Sequence, residues 1–155
     1  MKSFENKIAV VTGGGTGMGR ELVLQLAEAN CNVSMCDVIE ENMDQTIDLA
    51  VSINPNIKIT KHVCDVSIKE QVEEFRDNVL SEQQSDSINL LFNNAGIGGG
   101  QSFIKSDIEE WEKVFAVCWY GVYFCSRAFM EALIKSDEGH LINTSSVNGF
   151  WASLG

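Results

Sequence analysis

A glycine-rich segment near the start of the chain, TGGGTGMGR (Thr12–Arg20), has the residue types and spacing of an anion-binding loop. It follows a short apolar run and precedes a helical pattern, and the spacing G-x-x-x-G-x-G gives Gly13, Gly17 and Gly19. Backbone N–H groups at such a strand–helix turn point toward an anion, and residues without side chains let it approach closely. The segment lacks the G-x-G-x-x-G fingerprint and the lysine ending of an NTPase loop. It predicts a loop that binds the pyrophosphate of a cofactor; the alternative is a glycine-rich turn without a ligand.

An acidic residue ends the second apolar run, NVSMCD, eighteen residues after Gly19. In a dinucleotide-binding fold, a carboxylate at the place of Asp37 accepts hydrogen bonds from the adenosine ribose hydroxyls and would repel a 2′-phosphate. Neither Thr16 nor Val38 brings a compensating positive charge. The pattern favours NAD over NADP, and Asp37 could at the same time be the N-cap of the next helix.

Two further polar segments follow later strand-like runs: NNAG at Asn93–Gly96 and INTSS at Ile142–Ser146. The carboxyl ends of parallel strands border the crevice in which open α/β sheets bind ligands. Simpler interpretations are a turn whose asparagines bond their own backbone and an ordinary turn hydroxyl at Ser146.

Together with CDV (Cys64–Val66), these segments resemble the short-chain dehydrogenase/reductase family in order and spacing, over essentially all 155 residues. The resemblance implies that Asp65 and Val66 flank the adenine ring, and that Asn94 and its neighbours line the cofactor and steady the sheet. The cofactor-binding residues that it implies are Gly13, Thr16, Gly17, Met18, Gly19, Asp37, Asp65, Val66, Asn94, Ala95 and Gly96.

The resemblance also implies the catalytic groups. In that family a tyrosine, assisted by a lysine in the motif Tyr-x-x-x-Lys, transfers a proton to or from the substrate oxygen. The lysine lowers the pKa of the phenol, which is ordinarily about 10. Ser146 lies where the family serine that holds the substrate oxygen is expected, with Ser145 less favoured. Neither Tyr120 nor Tyr123 is followed four residues later by lysine. We therefore expect an N-terminal portion, with the tyrosine and lysine beyond Gly155.

Cys118 occupies the position of a family asparagine that organises a water in the proton relay. A thiol is a weak donor and a weak acceptor, so it replaces an amide poorly. We expect a helix-buried, unreactive thiol there, which makes Cys118 a doubtful catalytic residue beside Ser146.

Strand-like and helix-like segments alternate along the whole chain, which predicts the elements that position these residues. Such regular order indicates one α/β domain over residues 1–155: a Rossmann-type, doubly wound parallel sheet with helices on both faces, lacking its C-terminal strands and helices. The expected strands are Lys7–Val11, Asn32–Asp37, Ile57–Asp65, Ile88–Phe92 and His140–Thr144.

A long helix, roughly Ile108–Ser136, is apolar on nearly all sides between Val114 and Ala132. A helix that covers a sheet on one side alone would have a polar outer face. Its second apolar face predicts a partner, either another subunit, so that the full-length protein is a homo-oligomer, or more of the same chain. A helix buried inside a larger domain fits equally well.

Composition restricts the functional class. The net charge of -11 argues against nucleic-acid binding. The longest apolar run, Val114–Cys125, is too short to cross a membrane, and no signal peptide is recognisable. Five cysteines without a CxxC motif predict reduced thiols in the cytoplasm, and two isolated histidines give no metal site.

The leading hypothesis is an NAD-dependent oxidoreductase that transfers hydride between nicotinamide and a small-molecule alcohol or carbonyl compound. Cys118 and the missing tyrosine and lysine motivate a second one, a catalytically silent NAD-binding or interaction protein. A Rossmann-like methyltransferase would also use a glycine loop and an acid after the second strand, but it leaves NNAG and NTSS unexplained.

Overall fold

Five short segments, apolar in β1 and β4 and more mixed in β3, form parallel strands in the computed structural model, which describes residues 1–99, 104, 107–149 and 151. The sheet has the order β3-β2-β1-β4-β5. Chain connectivity therefore changes direction between β1 and β4, where the loops after the two strands diverge and leave a crevice. The strands are β1 (Ile8–Thr12), β2 (Asn32–Asp37), β3 (Ile59–Val63), β4 (Leu90–Asn93) and β5 (His140–Asn143).

Helices cover both faces of the sheet. Alternate residues of β1 point to opposite sides: Ala9 and Val11 pack on the first two helices, and Val10 packs with Phe75 and Phe129 from the third and fifth. This arrangement confirms the predicted doubly wound α/β fold. The helices are α1 (Gly17–Glu28), α2 (Glu40–Ile53), α3 (Lys69–Gln83), α4 (Ile108–Phe115) and α5 (Val122–Lys135), with a short 3₁₀ turn at Val147–Gly149.

The prediction of one continuous α-helix over Ile108–Ser136 was wrong in its middle. A π-helical segment, Ala116–Gly121, joins α4 to α5. Gly121 lies against the loop after β3, where an added Cβ would be 2.7 Å from Cγ2 of Val66. Aromatic side chains of the segment, Trp119 and Tyr120, are exposed, as is Ile134 on α5. The second apolar face that the sequence predicted is thus present at the surface of the described residues.

The bounds of β2 are as predicted, whereas the other strands differ from the prediction by one or two residues at one or both ends. Thr12 and Asn93 are the last residues of β1 and β4, whereas β3 is shorter than expected at both ends. Both residues are buried polar groups: the Asn93 side chain bonds to Asn143 on β5, and the Thr12 hydroxyl bonds to the backbone just after β4. Among the described residues, no helix is long and apolar enough to cross a membrane.

Candidate functional site

A cavity of about 640 Å³ opens at the carboxyl ends of β1 and β4. All eleven residues predicted to bind the cofactor line it, although they come from four separate segments of the chain. The sequence had not indicated five further lining residues: Val38, Cys64, Ile97, Lys113 and Val117.

The glycine loop after β1 forms one wall of this cavity through close backbone contacts. An added Cβ at Gly19 would lie 1.9 Å from the carbonyl oxygen of Gly13, so the turn closes only with glycine there. Gly17 has a φ of +55° and no heavy atom within 4 Å of the place a Cβ would occupy. Open space beside a left-handed glycine leaves room for a ligand to approach the backbone.

The N-terminus of α1 is part of the same wall. The helix begins at Gly17, its N-cap Thr16 makes no side-chain capping bond, and no acidic residue lies in the first turn. Thr16, Gly17, Met18 and Gly19 all line the cavity. The partial positive charge of the helix end, together with its first N–H groups, therefore lies where an anionic group of a ligand would be favoured.

Asp37 ends β2 and lies half-buried beside the glycine loop. Its Oδ2 accepts a hydrogen bond of 3.0 Å from the Gly15 N–H, and its Oδ1 accepts one of 3.2 Å from the Ile39 N–H. The N-cap of α2 is Ile39, so the expectation that Asp37 could cap this helix was wrong. Each carboxylate oxygen keeps a lone pair for a further donor, since an ionised carboxylate accepts about four bonds.

Asp65 follows β3 and is held by its own turn. Its Oδ1 accepts hydrogen bonds from the N–H of Ser67 at 2.9 Å and from the Ser67 hydroxyl at 2.6 Å. The Asp65 N–H donates to Oε1 of Gln71 at 2.8 Å. Buried Val66 packs beside it against Gly121. These bonds fix the backbone of Asp65 and Val66, the two residues expected to flank the adenine ring.

Asn94, predicted to line the cofactor, connects three strand ends. Its side-chain nitrogen Nδ2 donates to the carbonyl oxygens of Thr12 and Gly13, at 3.1 and 3.4 Å, while the Thr144 hydroxyl donates to its Oδ1. The preceding Asn93 donates to Ser126 on α5 at 3.0 Å and to Oδ1 of Asn143 on β5 at 2.8 Å. The NNAG segment therefore joins the central strands at the cavity, which is more than a local asparagine turn.

The two catalytic candidates lie outside the cavity lining. Ser146 follows β5 and is exposed, and its carbonyl oxygen accepts a bond from the Gly149 N–H at 2.9 Å. Cys118 is also exposed, so the expectation of a buried thiol was wrong. The helix is poorly covered here, since α4 just before it has no buried residue, and the Cys118 thiol donates to the Ile97 carbonyl in the loop after β4 at 3.5 Å.

The other four cysteines are buried free thiols. A hydrogen bond from Cys36 lowers the pKa of the Cys64 thiol, while that bond and burial raise the pKa of Cys36 well above its usual value. Burial raises the pKa values of Cys31 and Cys125 to about 12. No cluster of three possible metal-binding side chains occurs in the described part of the chain.

Comparison with known proteins identifies a matching family. The family model for short chain dehydrogenase matches residues 7–155. Human epidermal retinol dehydrogenase 2 is 33% identical over 148 residues, which is 96% of this chain and 47% of that protein. The chain thus spans about half the length of this relative.

Solved structures agree on the fold. A short chain dehydrogenase/reductase from Burkholderia phymatum in complex with NAD superposes with a TM-score of 0.91 at 32% identity, covering 99% of this chain and 53% of that one. A metagenomic short-chain oxidoreductase in complex with NADP superposes with a TM-score of 0.84 at 29% identity, covering 94% of this chain and 64% of that one. The neighbours therefore include complexes with both nicotinamide dinucleotides.

Proposed function

The chain belongs to the short-chain dehydrogenase family, and we propose that its cavity binds NAD for hydride transfer between nicotinamide and a small-molecule alcohol or carbonyl compound. The observation that carries this proposal is the position of Asp37, whose carboxylate lines the cavity and bonds the glycine loop through Gly15. Relatives of the chain are oxidoreductases, so the comparisons favour neither the catalytically silent alternative nor a methyltransferase.

The cavity fits an extended dinucleotide in size and chemistry. Its volume of about 640 Å³ is within the range of cofactor sites. The uncapped N-terminus of α1 would receive the pyrophosphate, and the open space at Gly17 would let it approach the backbone. Asp65 and Val66, which also line the cavity, would lie beside the adenine.

The preference for NAD over NADP rests on electrostatics at Asp37. Hydroxyl groups of the adenosine ribose can donate to the remaining lone pairs of the carboxylate, whereas a 2′-phosphate there would place like charges together. Val38, which follows Asp37 in the cavity wall, is apolar and offers the phosphate no positive charge.

The bound nicotinamide would accept or donate the hydride, and residues of the family site would handle the proton. Ser146, after β5, is proposed to hold the substrate oxygen. The family's Tyr-x-x-x-Lys pair does not occur within these 155 residues, so turnover is proposed for a protein that also contains it. With Cys118 in place of the relay asparagine, we expect slower proton transfer.

The location of the bound cofactor can be tested by nuclear magnetic resonance. On titration with NAD, amide resonances of Gly13–Gly19, Asp37, Asp65 and Asn94 should shift, while those of β3 residues Ile59–His62 should not. Shifts confined to residues outside the cavity would contradict the proposed site.

A further inference from the structure

The backbone N–H and the backbone carbonyl of Gly15 are both hydrogen-bonded to side chains, although Gly15 does not line the cavity. Its N–H donates to Oδ2 of Asp37 at 3.0 Å. Its carbonyl oxygen accepts hydrogen bonds from Arg20 on α1 and lies 3.2 Å from the hydroxyl of Thr46 on α2. Gly15 is therefore the link between Asp37 and a pair of side chains on the outer side of the loop.

Arg20 makes the larger share of these contacts. Its Nε lies 3.0 Å from the Gly15 carbonyl oxygen and 3.0 Å from the Thr46 hydroxyl, and its Nη2 donates to the same carbonyl at 2.6 Å. Nη2 is also 3.2 Å from the carbonyl of Asn42 and 3.2 Å from Oε1 of Gln45. A planar guanidinium suits this arrangement, because two donors reach one carbonyl while a third group is bonded.

Thr46 completes the arrangement without adding charge. Its side chain is fully buried, with the hydroxyl 3.0 Å from the Asn42 carbonyl of its own helix, 3.1 Å from the Gly14 carbonyl and 3.2 Å from the Gly15 carbonyl. The hydroxyl accepts from Nε of Arg20 and has one proton to donate, so it serves one carbonyl at a time.

We infer that Arg20 is a positioning residue for cofactor selectivity: with Thr46 it fixes the Gly14 and Gly15 carbonyls on either side of the Gly15 N–H, and through that N–H the carboxylate of Asp37. The inference rests on the proposed binding of NAD. Arg20 lies outside the cavity lining, so it acts without touching the cofactor. Because a peptide is planar, the Gly14 carbonyl, which lies 3.1 Å from the Thr46 hydroxyl, sets the direction of the Gly15 N–H that donates to Asp37. Arg20 holds that hydroxyl and also the Gly15 carbonyl that follows.

If Arg20 had a different role, its removal would change the preference for NAD over NADP in the opposite direction. If its positive charge acted only through space, it would attract the 2′-phosphate, and its removal would increase the preference for NAD. If it positions Asp37, its removal lets the carboxylate move away from the ribose, and the preference for NAD decreases. The ratio of the dissociation constants for NADP and NAD separates the two roles.

The test is equilibrium titration of the purified protein with NAD and with NADP, for Arg20→Gln and Thr46→Val. In both variants we expect the Kd ratio of NADP to NAD to fall by about tenfold, the equivalent of one charged hydrogen bond. Arg76→Gln and Thr60→Val are the matched controls and should keep the parent ratio, since neither residue lines the cavity or contacts the loop.

A double-mutant cycle makes the result specific. In an Asp37→Ala background, Arg20→Gln should leave the ratio unchanged, because the group that it positions is gone. A loop that is merely loosened would weaken both cofactors equally and leave the ratio of the single variant at the parent value.

An unchanged or raised ratio in Arg20→Gln and Thr46→Val would overturn the inference while NAD binding by the parent protein still stands. Failure of the parent to bind either dinucleotide would instead contradict the proposed function. If Arg20→Gln does not fold, Thr46→Val decides, because it changes the same carbonyl contact without removing charge.

Discussion

The hydroxyl oxygen of Thr12 accepts hydrogen bonds from the backbone N–H groups of both Asn94 and Ala95, each at 3.0 Å. Thr12 ends β1 and Asn94 follows β4, so one buried side chain joins the two strands at the point where the cavity opens. The geometry of the cavity mouth thus depends on a residue that does not line it.

Replacing this threonine should cost stability. Thr12→Val leaves the N–H groups of Asn94 and Ala95 without their acceptor, and an unsatisfied buried donor costs about 1–3 kcal/mol. We expect the free energy of unfolding in urea to fall by that amount and NAD binding to weaken. Thr12→Ser keeps the hydroxyl and is the control. A Thr12→Val protein as stable as Thr12→Ser would show that these bonds contribute nothing.

Cofactor choice should respond to Asp37. Asp37→Arg removes the acceptor for the ribose hydroxyls, and a hydrogen bond to a charged group is worth about 1.5–3 kcal/mol. NAD affinity should therefore fall by about 10- to 100-fold, with the preference shifting toward NADP. Calorimetric titration with NAD and with NADP measures the two affinities and the preference between them. Asp37→Asn, which keeps an acceptor but loses the charge, should give an intermediate ratio. Unaltered affinities for both cofactors in Asp37→Arg would mean that the assignment is wrong.

Glycines of the loop after β1 and of the loop after β4 should differ in whether they tolerate an added methyl group. In Gly19→Ala the new methyl group would lie 1.9 Å from the Gly13 carbonyl oxygen, so the loop must shift and NAD binding should be lost. Gly98→Ala is the matched control, since no atom lies within 4 Å of its added methyl group. Binding titrations of the two variants should separate them by at least about tenfold. Equal affinities would contradict the loop geometry.

Thiol labelling should distinguish one cysteine from four. Cys118 is exposed, whereas Cys31, Cys36, Cys64 and Cys125 are at most 2% exposed. Under native conditions at pH 8 an alkylating reagent should modify Cys118 first, as peptide mass spectrometry would show. Cys118→Ser should abolish the rapid phase. Rapid labelling of Cys31 or Cys125, whose pKa values burial raises to about 12, would contradict the structure.

Local patterns were sufficient to predict the architecture. The run Asn32–Asp37 was expected as a strand with those bounds and is β2, because its buried apolar residues are bounded by a helix end and an acidic turn. The glycine loop, Asp37, Asp65 and Asn94 line one cavity, since each lies at or just after the end of a strand and all the strands are parallel.

Other features depend on contacts between distant residues and have no local signature. Arg20 lies 26 positions from Thr46 in the sequence, and nothing in the spacing of either residue indicates that they meet on the Gly15 carbonyl. The π-helical segment at Ala116–Gly121 lies within an unbroken helical pattern, where Gly121 packs against Val66. The expected burial of Cys118 failed because the apolar pattern does not show which part of the helix the domain covers: Ile108 and Phe115, earlier in the same pattern, are exposed as well.

The most direct test of the central claim is the pair of equilibrium dissociation constants for NAD and NADP, measured by calorimetry on the unmodified protein. Binding of NAD with one site per chain, and at least about tenfold more tightly than NADP, is the predicted result. Absence of NAD binding, or equal affinity for the two, would contradict the role given to Asp37 and to the cavity that it lines.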